Sequence, residues 1–217
     1  MGKGTGAVSV IGGSDGPTSV FLLKKNSKLT FRQKIEKIKH KIRRNYVEKT
    51  LQPGSHTIEE VMDYIVNIHG FVKLDKDSDK VKEEYDQMRA SFIMQYASEL
   101  LGEYAEMPKL ENESQEAVQA HLKQIQERMK RAQEIPVTEF DIDFHKFEKV
   151  FDDKNDNIHI TFEKRFSCIG GGAAGSKKVM KKFRRIYKDI YRYYGVTKED
   201  IREKSKRYRD VVQALSQ

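Results

Sequence analysis

A short segment rich in glycine, serine and lysine could bind an anion. Its candidate anion-binding residues are Gly170, Gly171, Gly172, Gly175, Ser176, Lys177 and Lys178. The segment lies between a β-prone run and a helical pattern, so backbone N–H groups and the positive end of a helix dipole would face the anion. Gly170 and Gly175 are spaced as in a Walker A loop, but Ser176 precedes Lys177, which exchanges the hydroxyl and amine of that motif. The alternative is a flexible turn that leads into a helix.

The stretch from Ser176 to Tyr194 has the period of a helix with one basic face and one apolar face. Clustered Lys and Arg attract phosphates without regard to sequence. We therefore predict polyanion binding by Lys181, Lys182, Arg184, Arg185, Lys188 and Arg192. The apolar positions have core spacing, whereas Tyr191, Tyr193 and Tyr194 are open to both packing and base stacking.

A second amphipathic helix is predicted from about Thr30 to Leu51. Its apolar residues recur at helical spacing and most other positions are Lys or Arg; the apolar residues are Phe31, Ile35, Ile38, Ile42 and Tyr46. Such a helix can lie on an anionic bilayer, which predicts a peripheral membrane contact through residues 30–51. The alternative is an ordinary surface helix with a solvated face.

The charge is distributed unevenly along the 217 residues, whose net charge is +8. Residues 1–49 carry +9, residues 50–163 carry −12 and residues 164–217 carry +11. The basic ends favour a polyanionic partner such as nucleic acid. The alternative is that the basic helices lie against the acidic middle and are neutralised there.

The sequence gives little support for catalysis or metal binding. The six histidines are scattered and form no HExxH motif. Glu139, Asp141 and Asp143 alternate along a predicted strand and would share a face, which either binds a cation or faces water. Cys168 is interpreted as a small buried residue rather than a nucleophile activated by a helix N-terminus. We expect a non-enzymatic protein with no cofactor and no metal.

The pattern of elements predicts an α+β fold with about five helices packed against an antiparallel hairpin at residues 137–168. Turn residues 12–18 lie between two β-prone runs and indicate a second small hairpin at the N-terminus. The long helices are expected to reach about Tyr104, Gln133, Tyr194 and Leu215. We predict a glycine-rich arm with a basic linker over residues 1–29 and a single domain over residues 30–217.

No apolar run approaches the roughly 20 residues that a membrane-spanning helix requires. The N-terminal stretch lacks the apolar region and cleavage site of a secretory signal. Cys168 is the only cysteine, which excludes an internal disulfide. The chain is therefore expected to be soluble and cytoplasmic.

The segment Val10-Ile11-Gly12-Gly13-Ser14-Asp15-Gly16-Pro17-Thr18-Ser19-Val20-Phe21 resembles the GGxDGPT segment of the beta subunit of sodium-ion-translocating decarboxylases, the oxaloacetate decarboxylase type. In that family the segment belongs to a multi-span membrane protein, and its aspartate is associated with sodium binding. The resemblance implies that role for Asp15 and motif positions for Gly12, Gly13, Gly16, Pro17 and Thr18. It covers about a dozen residues. The residues alone also fit a turn or arm used for docking.

The sequence favours a binding protein that contacts nucleic acid or phosphate through the basic helix and the glycine segment. Two alternatives stay open. One is a decarboxylase beta-subunit-like protein, and the other is an enzyme that handles phosphate through the glycine segment.

Overall fold

The computed structural model describes residues 7–13, 16–23, 30–107, 114–151 and 156–216, with the backbone alone for the segments before residue 30. The chain is an α+β protein. Strands β1 (Ala7–Gly13) and β2 (Gly16–Leu23) pair antiparallel, with Val10 opposite Val20. The predicted N-terminal hairpin is thus confirmed.

Backbone contacts divide the chain into two compact units, one of residues 30–81 with 142–217 and the other of residues 82–141 with the N-terminal segment. The elements of the larger unit begin with α1 (Phe31–Thr50), β3 (Gly54–Ser55), α2 (Ile58–Asn67) and β4 (Val72–Lys73). Its later elements are β5 (Phe144–Val150), β6 (Asn157–Glu163), β7 (Cys168–Ala174), α5 (Lys177–Tyr194), β8 (Gly195–Val196), α6 (Lys198–Glu203) and α7 (Lys206–Ser216). The division into an arm over 1–29 and one domain over 30–217 stays a prediction.

The smaller unit is mainly helical in its described residues 82–107 and 114–134. It contains most of α3 (Asp79–Tyr96), a 3₁₀ segment (Ser98–Tyr104) and α4 (Gln115–Glu134). Its core consists of Ala90, Ile93, Leu101, Ala132 and Ile135. The helix predicted to reach Tyr104 ends earlier, at Tyr96, and the 3₁₀ segment that follows is kinked at Gly102, whose φ is +60°.

A four-stranded antiparallel sheet forms one layer of the larger unit, in the order β4-β5-β6-β7. The predicted hairpin is present as β5 and β6, with Phe147 opposite Ile160. The first strand begins only at Phe144, so Glu139, Asp141 and Asp143 do not alternate along a strand as predicted. The chain turns at Pro136, whose carbonyl accepts hydrogen bonds from the N–H groups of residues 139 and 140.

Helices α2, α5 and α7 contribute apolar side chains to the same core as the sheet. Val61, Ile158, Ile160, Ile190 and Val211 are fully buried in it. Burial of apolar surface of this kind is the main term that stabilises a fold. It sets which face of α5 points inward and leaves the other face to solvent.

Helices α2 and α6 of the larger unit each begin with a capping box. Thr57 with Glu60 and Thr197 with Asp200 each form both hydrogen bonds of a capping box. The last helix, predicted as one piece, is two helices because Lys204 is left-handed, with a φ of +52°. Asp200 fixes this break by accepting a 2.6 Å hydrogen bond from the Ser205 hydroxyl.

Candidate anion-binding surface

The glycine segment is a strand and not a loop, which corrects the sequence interpretation. Gly170, Gly171 and Gly172 lie in β7 and pair with β6. A Cβ atom on Gly170 would lie 2.7 Å from Thr161 Oγ1, and one on Gly172 would lie 2.8 Å from His159 Cε1. These glycines therefore leave room for side chains of the neighbouring strand, and they lie in a paired strand rather than in an anion-binding loop.

The remaining residues of the segment, 175–178, lie at the start of α5. There the carboxylate of Asp156 already binds Ser176. Asp156 accepts hydrogen bonds from the Ser176 N–H at 2.6 Å and from the Ser176 hydroxyl at 2.9 Å. Ser176 also caps the helix by accepting from the N–H of Val179. An external phosphate at this end would compete with Asp156. Lys177 and Lys178 follow on the first turn and are exposed.

The apolar face of α5 is buried as predicted, and its aromatic residues are packing residues. Tyr191 and Tyr194 are buried, and the Tyr191 hydroxyl donates a 2.9 Å hydrogen bond to the carbonyl of Ile169. Tyr193 is stacked between two rings, with centroids 3.8 Å from His56 and 4.0 Å from Tyr64. Both faces of the Tyr193 ring are therefore occupied within the chain, which leaves no face for a base.

The opposite face of α5 is basic and exposed. At 100° per residue, seven Lys and Arg side chains fall within an arc of about 120°. They are Lys177, Lys178, Lys181, Arg184, Arg185, Lys188 and Arg192. All but Lys188, which is partly buried, are exposed, and none of those six forms an ion pair with a described residue of its own unit. Lys182 lies beside this arc with its amine 4.3 Å from the centre of the Phe151 ring.

The only acidic residue of α5 is engaged within the fold. Asp189 accepts a 2.7 Å hydrogen bond from the Tyr64 hydroxyl, and its Oδ2 lies 3.0 Å from His69 Nε2. This hydrogen bond, with burial as a further cause, raises the pKa of Tyr64 to about 12. Asp189 is thus turned toward α2 and its end, and does not neutralise the basic face.

A cation from α1 extends the basic surface. Partial burial lowers the pKa of the Lys188 amine, and the neighbouring charges of Arg43, Arg192 and Arg184 lower it further. Arg43 belongs to α1, so like charges of two helices face the same region. We call these residues the joined basic surface: the seven cations of the α5 arc and Arg43. A concentration of positive charge is a surface that attracts phosphate.

The other candidate groups, the Cys168 thiol and the Asp143 carboxylate, interact with side chains of the fold. The pKa of the Cys168 thiol is raised, chiefly by burial, although Lys206 Nζ lies 3.3 Å from its sulfur. A raised pKa disfavours the thiolate that a nucleophile requires. Asp143 forms ion pairs with Lys76 and Lys164, and the His145 ring lies beside it. Among the residues that the structure describes, no cluster of three or more His, Cys, Asp or Glu could hold a metal ion.

The motif that carries the decarboxylase resemblance falls partly outside the described residues. Asp15 is not described, while Gly12 and Gly13 lie in β1 and Gly16, Pro17 and Thr18 lie in β2. Within the described part of the chain, no helix has the length and apolar character needed to cross a membrane. The proposed role of Asp15 stays a prediction.

Two residues important for this surface were missed in the sequence. Asp156 stands before β6 and 20 positions from Ser176, so its contact with α5 is nonlocal. Arg43 is one of many cations in α1, and nothing in its spacing indicates which would face α5. Comparisons with protein-family models, curated proteins and solved structures find no match for this chain. The proposed function is therefore based on the arrangement of this chain's own residues.

Proposed function

We propose that this chain is a non-enzymatic binding protein of the cytoplasm that holds a polyanion, with nucleic acid as the first candidate, on the joined basic surface. The observation that carries the proposal is the set of exposed α5 cations without ion pairs in their unit, together with an Asp189 that is engaged elsewhere. Phosphates spaced along a nucleic acid backbone can contact several such cations at once and release their counterions.

The structure favours a different position for the proposed phosphate contact than the sequence did. The sequence predicted that phosphate binds at Gly170 to Lys178. In the structure, however, the glycines of this segment lie in β7, and the Ser176 N–H donates its hydrogen bond to Asp156. The proposal therefore moves to the exposed arc, of which Lys177 and Lys178 are the first members. Because the Tyr193 ring is stacked on both faces, binding should depend on charge rather than on base stacking.

The test is binding of a fluorescently labelled nucleic acid, followed by anisotropy at several salt concentrations. The variant changes Lys181, Arg184 and Arg185 to Glu. The control changes Lys123, Lys130 and Arg131 of α4 to Glu, which alters the net charge by the same amount on exposed positions of the other unit. Each lost phosphate contact should reduce the slope of log K against log salt by about 0.9 for duplex DNA.

We expect the α5 variant to lose at least about tenfold in affinity at moderate salt, with the control close to the unchanged protein. Nucleic acid that co-purifies with the unchanged chain, seen as a raised 260/280 absorbance ratio, would agree with this. Equal losses in both variants would show that only net charge matters and would overturn the assignment to α5.

We also propose that the predicted peripheral membrane contact through residues 30–51 is made by α1. The observation that favours it is that this helix buries none of its residues. Flotation of the chain with liposomes is the direct test, and absence of the chain from the floated fraction at low salt would contradict it.

A further inference from the structure

Helix α1 exposes the apolar stripe that its sequence pattern predicts. The exposed fractions are 80% for Phe31, 58% for Ile38, 63% for Ile42 and 68% for Tyr46, and Ile35 is partly exposed. At 100° per residue these five residues span about 80° of the helix circumference. The helix is 20 residues long, so the stripe runs along roughly 30 Å. Exposed apolar surface of this extent usually marks a contact with a partner.

The stripe points away from the unit that carries α1. Val47 and Leu51 are the residues of this region that pack, partly buried, against the core. On the helical projection they lie about 140° to 180° from the middle of the stripe. The helix therefore rests on the unit through its C-terminal end and its opposite side, and turns Phe31, Ile38 and Ile42 to the outside.

Cations border the stripe on both sides. On the helical projection Lys34 and Lys41 lie along one border, and Lys39, Arg32 and Arg43 lie along the other. Only Lys39 has an ion pair with a described residue, an exposed contact of 3.3 Å with Glu36. Long basic side chains beside an apolar stripe can keep their charge at the surface while their stems cover apolar area.

These features distinguish among three occupants of the stripe. A second copy would bring together two helices that each carry eight Lys and Arg against two Glu, so like charges would oppose pairing. Protein interfaces are depleted in Lys, whereas five of the eight cations here are Lys. Anionic lipid headgroups attract Lys and Arg alike, and an apolar stripe lies naturally at the boundary between headgroups and acyl chains.

We propose that α1 lies flat on an anionic phospholipid surface, with the side chains of Phe31, Ile35, Ile38 and Ile42 inserted and the bordering cations among the headgroups. This rests on the membrane contact proposed above and names its lipid class and inserted residues. Its inserted residues lie outside the joined basic surface proposed for the polyanion, and Arg43 is the one cation that the two sites share. Insertion and charge should both be needed, since neither a narrow stripe nor a few cations gives stable attachment alone.

The test uses the full chain and two sets of vesicles, one of phosphatidylcholine and one of phosphatidylcholine with phosphatidylserine. The chain contains no tryptophan, so Phe31→Trp gives a single reporter on the stripe. We expect its emission to shift to shorter wavelength, and to be quenched by brominated acyl chains, with the anionic vesicles only. This readout reports α1 directly and is not produced by adsorption through α5.

Two variants separate insertion from charge. Ile38→Ser with Ile42→Ser should weaken vesicle binding by about tenfold for each residue, because an inserted Ile contributes apolar burial. Lys34→Gln with Lys41→Gln should weaken it by roughly fivefold for each charge. The control is Val137→Ser with Val150→Ser, two exposed apolar residues outside α1 whose exposed fractions are 52% and 60%. It should bind as the unchanged chain does.

Three results would overturn the proposal. One is equal binding to both vesicle sets, and another is unchanged binding of the Ile38/Ile42 variant. The third is a dimer in vesicle-free solution that the Ile38/Ile42 variant converts to a monomer, which would assign the stripe to a second copy. The Lys181/Arg184/Arg185 variant should keep the Phe31→Trp emission shift, so failure of the nucleic acid proposal and failure of this one are distinguishable.

Discussion

Helices α1 and α5 have the same kind of sequence pattern but differ in how much of their surface the fold buries. Both are basic and amphipathic, yet α5 buries five residues and α1 buries none. The apolar residues of α5 cover about 140° of the helix, whereas the α1 stripe covers about 80°. A helix that faces a core usually needs an apolar arc of about 100° or more. The width of the stripe, and not its period, distinguishes a helix that packs within the chain from one that exposes its apolar side.

The largest expected difference comes from deleting one Ile side chain on each helix. Ile190→Ala should lower the free energy of unfolding by about 3 kcal/mol, because Ile190 is fully buried in the core. Ile42→Ala should change it by less than about 0.5 kcal/mol, because that side chain is exposed. Urea denaturation of both variants checks this. A similar cost for both would mean that the α1 stripe is covered in the folded chain.

The ends of the two helices give a second contrast. Helix α5 ends at Gly195, whose φ is +57° and whose added Cβ would collide with the carbonyl oxygen of Gly54. Gly195→Ala should therefore cost about 2 kcal/mol or more and disturb the pairing of β3 with β8. Gly54, which follows the end of α1, has nothing within 4 Å of an added Cβ. Gly54→Ala is the matched control, and thermal unfolding that ranks it below Gly195→Ala in stability would contradict this account.

The starts of the helices give a smaller contrast. Asp156→Ala removes the carboxylate that holds Ser176 and should cost about 1 kcal/mol. Thr30→Ala removes the cap of α1 but should leave global stability nearly unchanged, because no residue of α1 is buried.

The Asp156 change also tests the anion site predicted from the sequence. If Asp156 occupies that site, inorganic phosphate should raise the melting temperature of Asp156→Ala more than that of the unchanged chain. Equal shifts in both proteins would mean that phosphate binds elsewhere.

Local signals predicted much of this fold. The β6 strand and the buried face of α5 were predicted from patterns within a few residues of each other, and the capping boxes of Thr57 and Thr197 are equally local. Each depends on a hydrogen bond or a period that a short segment completes by itself. The two basic helices were also located correctly by the same kind of signal.

The features that the sequence did not predict depend on contacts between residues far apart in the chain. A row of glycines predicted a loop, but Thr161 and His159 of the adjacent strand provide the reason for Gly170 and Gly172. The anion at the start of α5 is the carboxylate of Asp156, which stands just before β6 and 20 positions from Ser176. No period indicates such a partner. The joined basic surface likewise depends on which cation of α1 comes near Lys188 of α5, which is set by packing and not by composition.

A buried histidine in the sheet that packs against α5 should make the stability of the larger unit depend weakly on pH. His145 of β5 is buried, and neither ring nitrogen makes an aligned hydrogen bond, although Nε2 lies 2.9 Å from Asp143 Oδ1. Burial lowers the pKa of His145, with Lys73 as the next cause, and Asp143 only partly opposes this. The unfolded chain therefore takes up the proton first, at an ordinary pKa of about 6.5.

The sign of the pH effect follows from this lowered pKa. The contribution of neutral His145 to stability is complete above about pH 6.5 and is lost as the pH falls below that value. His145→Leu should flatten the decline in the free energy of unfolding between about pH 6.5 and 5, whereas His40→Leu on the exposed α1 should leave it unchanged. Urea denaturation across this pH range measures both slopes. If the free energy of unfolding declines equally in the two variants, protonation of His145 is not linked to unfolding. The sheet beneath α5 would then be no more sensitive to protonation than α1.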